Sequence, residues 1–387
     1  MRGNPTRLFR RAVVLVPVAA ICVFVASCGS PTSGPTATAA AGAACTAPPE
    51  VTVASFPVGV TLPTDIATGI GAFADVEKKC NTKINIASFD SPQPMIAGVL
   101  SGQIQFAVSN VQNQLLAAAQ GQNLTSILNM AQGGNGVIIG KASAESNTVG
   151  TDAIREYPPN SIWAMTTTTG LSALVVNALN DNIGNPAGSA RLVQVGATGI
   201  ASQVASGGAN LGYVPSPTAA VSAIRAGDTR SVLNASGPSV YKLLGFIPGW
   251  TMLTSSSFAD EYPQLSAEMA AAELKGLRFI QSHLNDPAAV YDAMPDSYRS
   301  STPKDVWADA WPWNASAYVV TGWITRDDMI RTAQLMQRYG VLKKEFDPNT
   351  LPDTILAPSI LKVAFDSIGE PVPTQPVDVA LLEKTAD

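Results

Sequence analysis

Four consecutive threonines at residues 166–169 precede a glycine and a helical pattern that begins at Leu171. The first N–H groups of a helix have no partners inside the helix and carry a partial positive charge, which suits a carboxylate, sulfonate or phosphate oxygen. The hydroxyls of Thr167, Thr168 and Thr169 are therefore candidate ligand contacts. The alternative is that one threonine caps the helix and the others face water, since threonine is a common cap.

Two more polar loops follow strand-like apolar runs. Ser109 and Asn110 end one such run. Pro215 and Ser216 end another. In open parallel sheets, ligands bind beyond the carboxyl ends of the strands, where such loops lead into helices. These four residues are candidate ligand contacts, and helix capping or exposure to water is the alternative for Ser109 and Asn110.

Two further loops at strand ends, residues 56–65 and 90–93, are predicted to line the same crevice, and carboxylate and aromatic side chains lie in or near it. Asp65 and Asp90 have the charge to meet an amine, and helix capping and turn chemistry are their alternative. Thr64 stands beside Asp65 at the start of a helical pattern. Phe56 and Trp250 offer flat faces to a planar ring, although a large aromatic more often belongs to the core.

The predicted loops contain no arginine or lysine. A doubly charged anion usually attracts a bidentate arginine. The sequence therefore predicts a neutral, zwitterionic or singly charged organic solute. Metal binding is not expected, because the chain has one histidine, His283, and no cysteine or aspartate cluster has ligand spacing.

No catalytic pattern is complete. Residues 69–74 match a dinucleotide fingerprint in letters, but they lie inside the predicted first helix instead of the turn after the first strand. Residues 135–141 resemble a phosphate loop but lack its first glycine and its final serine or threonine. A nucleophile elbow and a metalloprotease pair are absent from the sequence. We expect no catalytic residue, no enzyme activity and no cofactor.

Alternating strand and helix patterns position these loops. Strand, helix, strand, helix and strand follow one another over residues 51–108, and the same order returns over 161–214. This alternation indicates an α/β fold with a parallel or mixed sheet. The first helix is predicted at 64–79, and long helices are predicted at 265–283 and 326–339.

The amino-terminal segment has the pattern of an export signal. Four arginines within the first 11 residues precede an apolar run at 12–26, and Cys28 follows it. Bacterial lipoprotein signals resemble this pattern, and the resemblance implies that Cys28 is lipidated, for example with palmitate, and anchors the protein to the membrane. The alternatives are a transmembrane anchor or a cleaved signal with a chance cysteine, and either would still export the chain.

Composition separates a tether from a globular body. Residues 29–48 are rich in Ser, Thr, Pro, Gly and Ala and contain no charged residue, so they are predicted to be a flexible tether. The body that remains, roughly 340 residues, is longer than one core usually covers, which favours two lobes. The chain has 24 Lys and Arg against 29 Asp and Glu. This acidic balance, without a basic cluster, argues against nucleic acid as a partner.

The cysteines predict one disulfide. Cys22 leaves with the signal and Cys28 is the expected lipidation site, which leaves Cys45 and Cys80 in an oxidising compartment. We expect these two to pair. Two free thiols are the alternative.

Several phrases in the body resemble the solute-binding proteins of ABC importers, in the branch for nitrate, sulfonates, taurine and thiamine precursors. The phrases are found at residues 88–92, 96–108, 203–215 and 258–263. The resemblance implies a type II periplasmic-binding-protein fold with two α/β lobes, the second inserted in the first, joined by a hinge. The implied organisation is a signal at 1–28, a tether at 29–48, lobe 1 at 49–139 and 246–365, lobe 2 at 140–245 and a tail at 366–387.

The resemblance implies a monomeric, lipid-anchored receptor on the outer face of the cell membrane. Such a receptor clamps a small solute, sulfonate-like, taurine-like, pyrimidine or aromatic, and passes it to a permease and its ATPase. The match to the third-strand exit of the family favours ligand contact at Ser109 and Asn110.

Departures from the family leave the solute open. Gln105 and Asn210 replace the usual acidic residue of each lobe, and Thr64 and Asp65 stand where apolar or aromatic residues are common. The alternative function is an enzyme or biosynthetic protein on the same scaffold, because proteins of pyrimidine synthesis resemble this fold as well. The export signal favours the receptor.

Overall fold

Ten strands form two five-stranded sheets within the residues that the structure describes, which are 39–40, 42–56, 61–89, 91–142, 148–186 and 188–387 of a computed structural model. In chain order the strands are β1 (Glu50–Ser55), β2 (Lys83–Ser88), β3 (Phe106–Asn110), β4 (Leu124–Asn129), β5 (Val137–Lys141), β6 (Ile162–Met165), β7 (Arg191–Gln194), β8 (Leu211–Val214), β9 (Thr229–Asn234) and β10 (Trp250–Ser255). The predicted signal with Cys28, most of the tether, and Asp90 lie outside the described residues.

Helices connect and cover these strands. They are α1 (Leu62–Gly69), α2 (Ala72–Cys80), α3 (Pro92–Leu100), α4 (Val111–Ala119), α5 (Thr151–Arg155), α6 (Leu171–Asn182), α7 (Ile200–Ala205), α8 (Pro217–Arg225), α9 (Pro238–Leu244), α10 (Ser256–Glu261), α11 (Pro263–Ser282), α12 (Pro287–Asp292), α13 (Asp296–Arg299), α14 (Lys304–Ala315), α15 (Arg326–Arg338), α16 (Pro358–Ser367) and α17 (Val379–Leu382). Across the described ranges, none of the helices has the length and apolar character that spanning a membrane requires.

Both sheets have the same mixed topology. The first has the order β2-β1-β3-β10-β4, with β1 parallel to β2 and β3 and with β10 antiparallel to β3 and β4. The second has the order β7-β6-β8-β5-β9, with β6 parallel to β7 and β8 and with β5 antiparallel to β8 and β9. In each sheet the strand antiparallel to its neighbours, β10 or β5, lies fourth in the order and is the one that enters from the other sheet. The predicted α/β class is confirmed, and so is the strand and helix order of the parallel units.

The chain crosses between the sheets twice, from β4 to β5 and from β9 to β10. The crossings are hydrogen-bonded to each other: Gly133 N donates to Ile247 O at 2.9 Å, and Gly249 N donates to Ala131 O at 2.9 Å. The glycine-rich stretch that resembles a phosphate loop is therefore the first crossing and β5. Gly134, in the same crossing, leaves space for the buried ring of Tyr213, because a Cβ at Gly134 would lie 1.7 Å from the Tyr213 hydroxyl oxygen.

The predicted single helix at 64–79 is wrong in one respect. The structure divides it into α1 and α2 at Gly71, which has a φ of 79° and precedes Ala72 in a conformation that favours glycine. Gly69 has a separate packing reason, because a Cβ there would lie 1.7 Å from the Ala293 carbonyl oxygen. The letters of a dinucleotide fingerprint thus reflect a helix break and a close backbone contact.

The apolar cores tie late helices to both sheets. The first sheet packs with α1, α2, α11 and α16, whose buried side chains form one cluster. The second sheet packs with α6, and its cluster also takes in Leu115 of α4 and Met329 of α15. The segment predicted to be a tail is folded, since Leu382 is buried and Asn234 Nδ2 donates to Ala386 O at 2.9 Å. The lobe boundaries inferred from the sequence stay a prediction.

A disulfide joins Cys45 to Cys80, as the sequence predicts. Cys45 precedes β1, and Cys80 is the last residue of α2. The bridge therefore ties the segment that leads into the first sheet to the helix that packs beside it.

Candidate functional site

A cavity of about 340 Å³ opens at the carboxyl ends of β1 and β2. The strand ends, α1 and the region of α13 each contribute to its wall. The lining residues are Ser55, Phe56, Asp65, Thr68, Ile86, Ser88, Pro295, Ser297 and Tyr298. Its position follows from topology, because the carboxyl ends of parallel strands share one edge of the sheet.

Asp65 is the cavity's carboxylate. It lies in the first turn of α1 and its side chain is only partly exposed. Burial raises the pKa of Asp65 to about 7, and a hydrogen bond with Thr61 opposes that rise. A helix amino terminus normally favours a carboxylate, so here the loss of hydration outweighs the helix dipole. Asp65 thus changes charge near neutral pH.

A second carboxyl lies buried beneath Asp65. Glu273 of α11 is fully buried, and its Oε1 accepts a hydrogen bond from Thr64 Oγ1 at 2.7 Å. Its Oε2 has no hydrogen-bond partner among the described residues. Burial, with a smaller contribution from the charge of Asp65, raises the pKa of Glu273 to about 8. Glu273 is therefore mostly neutral at pH 7, and Thr64 is engaged by it.

Two tyrosines complete the surroundings of Asp65. Burial raises the pKa of Tyr298 to about 12, and the charge of Asp65 adds to that rise. Burial also raises the pKa of Tyr318, again with a contribution from Asp65. Both phenols are neutral at physiological pH. The described residues that line the cavity include no lysine, arginine or histidine.

The cavity also has an unpaired hydroxyl and an aromatic wall. Ser55 is 3% exposed, and its Oγ has no hydrogen-bond partner within the described part of the chain. The rings of Phe56 and Trp250 meet edge to face with centroids 5.3 Å apart. The indole Nε1 of Trp250 is likewise without a partner among described residues. Buried polar groups are usually paired, so the Ser55 hydroxyl, which lines the cavity, indicates a place for a ligand or water.

Ser109 and Asn110 lie at the carboxyl end of β3 but do not line this cavity. Asn110 caps α4, because its side-chain oxygen accepts from Asn113 N at 3.0 Å. Ser109 is buried, and its Oγ accepts from Asn113 Nδ2 at 3.2 Å. Asn110 therefore makes the helix-capping hydrogen bond that was the alternative to ligand contact. Ligand contact at both residues stays a prediction.

The threonine loop and the Pro215–Ser216 loop lie at the carboxyl edge of the second sheet, after β6 and β8. The hydroxyl oxygens of Thr167 and Thr169 are 3.4 Å apart, and no described side chain caps α6 at Gly170. The Oγ atoms of Ser216 and Thr218 are 2.8 Å apart. None of these described residues lines the cavity. Their role in binding, like that of Thr168, stays a prediction.

The structure brings Phe56 and Asp65 into one cavity, with Trp250 against Phe56. The sequence interpretation did not include Ser55 and Tyr298, which line the cavity, or Glu273, which is buried against Thr64. Glu273 and Tyr298 are more than 200 positions from α1 in the chain, and only an alignment showing coupled substitutions would carry a signal for them. Ser55 ends a strand whose loop was predicted, so its position was within reach of the sequence.

The sequence predicts no metal site, which would need a cluster of metal-ligating side chains. Within the described ranges, no group of three or more His, Cys, Asp or Glu side chains is placed to hold a metal ion. His283 ends α11, where its ring stacks on Phe279 and its Nδ1 lies 2.8 Å from the Phe279 carbonyl oxygen. His283 thus lies at the carboxyl end of α11, where a histidine side chain interacts favourably with the helix dipole.

The structure of this chain resembles several solved structures of other proteins. No family model matches the sequence, and no curated protein matches it. The periplasmic nitrate-binding protein NrtA from Synechocystis is similar in structure, with 12% identity, a TM-score of 0.65, and coverage of 88% of this chain and 99% of that one. The aliphatic sulphonate binding protein SsuA from Escherichia coli has 13% identity, a TM-score of 0.61, and coverage of 79% and 92%.

A ligand-binding component of an ABC-type import system from Staphylococcus aureus, with zinc bound, has 12% identity and a TM-score of 0.60 and covers 82% of this chain. At such low identities the likeness establishes the fold and leaves the ligand to separate argument. The two mixed sheets, their double crossing and these neighbours agree: the chain has the periplasmic-binding-protein fold that its sequence resemblance predicts.

Proposed function

We propose that this chain is a solute-binding protein of an ABC importer, exported and anchored to the membrane through a lipid on Cys28. It captures a small neutral, zwitterionic or singly charged organic solute and acts as a monomer. The observation that carries the proposal is the cavity at the carboxyl ends of β1 and β2, within a fold of two sheets joined by two crossings. Ligands of open α/β sheets bind at this edge.

Function in this proposal is a shift between open and closed forms. The two hydrogen-bonded crossings are short segments about which the sheets can turn, as in hinge closure around a ligand. A solute that makes better contacts in the closed form shifts the population toward it. The threonine loop and the loop at Pro215 and Ser216 are the parts of the second sheet proposed to cover the solute. The permease and its ATPase then receive the closed form.

An exposed ion-pair cluster spans α8 and α14, which belong to the two proposed lobes. Arg225 of α8 donates to Asp305 at 2.7 Å and to Asp309 at 2.6 Å, both on α14. All three side chains are solvent-exposed. Exposed pairs of this kind contribute little and are screened by salt, so they are compatible with an interface that opens and closes.

The first test is a thermal-shift screen of the purified full-length protein with sulfonates, taurine, nitrate, pyrimidines, amines and aromatic acids. A solute present at a hundred times its dissociation constant should stabilise the protein by about 2.7 kcal/mol. Phe56→Ala should abolish the shift, because Phe56 forms a wall of the cavity. Val193→Ala, at an exposed position on β7, is the matched control and should keep it.

Two further measurements separate this proposal from the alternatives. The bound solute should be recovered chemically unchanged by mass spectrometry, whereas an enzyme on this scaffold would convert it. Thr168→Ala should weaken binding if the threonine loop covers the solute. Metabolic labelling with an alkyne palmitate analogue should mark the wild type, and Cys28→Ala should lose both the label and the membrane fraction.

A further inference from the structure

We infer that the cavity at β1 and β2 is a subsite for a protonated amine, with Asp65 as its counter-ion and Phe56 and Trp250 beside it. This inference rests on the proposed function and names the chemical class of the solute. It is argued from the charges that face Asp65, from an unpaired buried hydroxyl and from the aromatic wall.

Among the described residues, no positive group is found near Asp65. The described titratable groups that interact with it are Glu273 on α11, Tyr298 on α13 and Tyr318, each of which is an acid. Thr61 supplies a neutral hydroxyl. A carboxylate removed from water and left without a cation is costly, whereas an ammonium group of a solute would supply that charge. An anionic group placed there would meet the like charge of Asp65 and no positive group among the described residues that line the cavity.

The raised pKa values are consistent with this arrangement. Burial without a cation is what raises the pKa of Asp65 to about 7. Glu273, with a pKa raised to about 8, stays mostly neutral, so the site presents one carboxylate and not two. Bringing an ammonium group to Asp65 would favour its ionised form.

A buried hydroxyl points to the same ligand. Ser55 is 3% exposed, lines the cavity, and has an Oγ without a partner among the described residues. An ammonium group has three N–H donors and no acceptor, so it needs several oxygens around it. The Asp65 carboxylate and the hydroxyl-bearing residues Ser55, Thr68 and Ser88 all line this cavity and offer such oxygens.

The aromatic wall suits the rest of such a solute. Phe56 lines the cavity beside Ile86, and Trp250 packs edge to face against Phe56 at 5.3 Å. Aromatic faces attract cations and pack against apolar or planar groups. A volume of about 340 Å³ is at the small end of ligand sites. The geometry therefore fits a small amine with a short alkyl or aromatic body.

The test uses three probes of similar size: 2-phenylethylamine, the uncharged 3-phenylpropan-1-ol and the anion phenylacetate. Each is titrated into the purified full-length protein at pH 8 and followed by isothermal titration calorimetry. The amine should bind at least tenfold more tightly than the alcohol, and the anion should bind most weakly. Asp65→Asn should weaken the amine at least tenfold and change the alcohol less than twofold.

Two more variants keep the test sharp. Asp75→Asn removes the same charge from an exposed position on α2 and should leave the amine affinity unchanged, which excludes a general effect of net charge. Ser55→Ala should fold and should weaken the amine more than the alcohol. If Asp65→Asn fails to fold, the amine and alcohol affinities of Ser55→Ala test the inference in its place.

The outcomes distinguish this inference from the proposed function. Equal binding of amine and alcohol, or unchanged amine affinity in Asp65→Asn, would overturn the amine subsite and leave solute binding in place. Absence of amine binding at millimolar concentration would also overturn it, while a hit with another class in the thermal-shift screen would still support the receptor. Tight binding of the amine that is weakened by the Asp65 and Ser55 substitutions would support both the amine subsite and the proposed function.

Discussion

Replacing the buried carboxyl Glu273 by glutamine should change how the stability of the protein depends on pH. Glutamine keeps the shape of the side chain and an oxygen that accepts from Thr64 Oγ1, but it has no proton to lose. The test needs no knowledge of the solute. It asks whether burial of Glu273 carries the energetic consequence that its surroundings imply.

The magnitude follows from the two states of the carboxyl group. Its pKa is raised from 4.5 to about 8 in the folded protein, so folding retains a proton that the unfolded chain releases above pH 4.5. The stability from this group is complete below pH 4.5 and is lost as the pH rises toward 8. The loss is somewhat more than ~1 kcal/mol per pH unit, or about 3 kcal/mol between pH 5.5 and 7.5.

The assay is urea unfolding of the full-length wild type and Glu273→Gln at pH 5.5 and pH 7.5, followed by circular dichroism. Relative to wild type, the variant should gain about 3 kcal/mol in free energy of unfolding between the two pH values, because the wild type alone loses its Glu273 contribution. Glu345→Gln, at an exposed position, is the control and should follow the wild type at both pH values.

The reasoning would be refuted if Glu273→Gln and wild type lost stability in parallel over this range. That result would mean that water or a structural change hydrates Glu273 in the folded protein. A variant less stable than wild type by the same amount at both pH values would show that Glu273 acts through its hydrogen bond alone.

Three other predictions follow from the same structure. Reducing the disulfide, which closes a sequence separation of 35, should lower the free energy of unfolding by about 4 kcal/mol in a urea titration with and without dithiothreitol, and equal curves would contradict its proposed role. Gly134→Ala should destabilise the protein by about 1–3 kcal/mol because its Cβ would meet the Tyr213 hydroxyl, whereas Gly196→Ala, with open space around it, should lie within about 0.5 kcal/mol of wild type. Binding of 2-phenylethylamine should be about tenfold weaker at pH 6 than at pH 8, because protons compete for Asp65 with its pKa of about 7, and a flat calorimetric profile would contradict this.

Local patterns predicted much of the fold. Period-two apolar runs between helical patterns indicate β1, β2 and β3 and again β6, β7 and β8, and each forms where expected to within a few residues. The strands that were not predicted, β4, β5, β9 and β10, carry or flank the crossings between sheets. Their sequences alone do not say which sheet a strand joins, since β10 pairs with β3, about 140 residues earlier in the chain, and β5 pairs with β8, more than 70 residues later.

The candidate site also has a part that could be predicted from local sequence and a part that could not. The loop at Phe56 and the carboxylate of Asp65 were predicted because strand ends and helix starts have local signatures. Asn110 illustrates the limit: its position at a strand end was predicted, but whether its side chain caps a helix or meets a ligand depends on Asn113 and on what lies opposite.

By itself, the sequence determined the α/β class, the expected export, the cysteines available to pair and the polar loops at strand ends, because composition and periodicity are local properties of the chain. Tertiary structure alone decided which of those loops share a cavity, and it brought Glu273 and Tyr298 to Asp65 from positions more than 200 residues away. Their pKa values, and therefore the charge that the cavity offers a solute, depend on burial. Burial is a property of the packed protein and not of any segment of its chain.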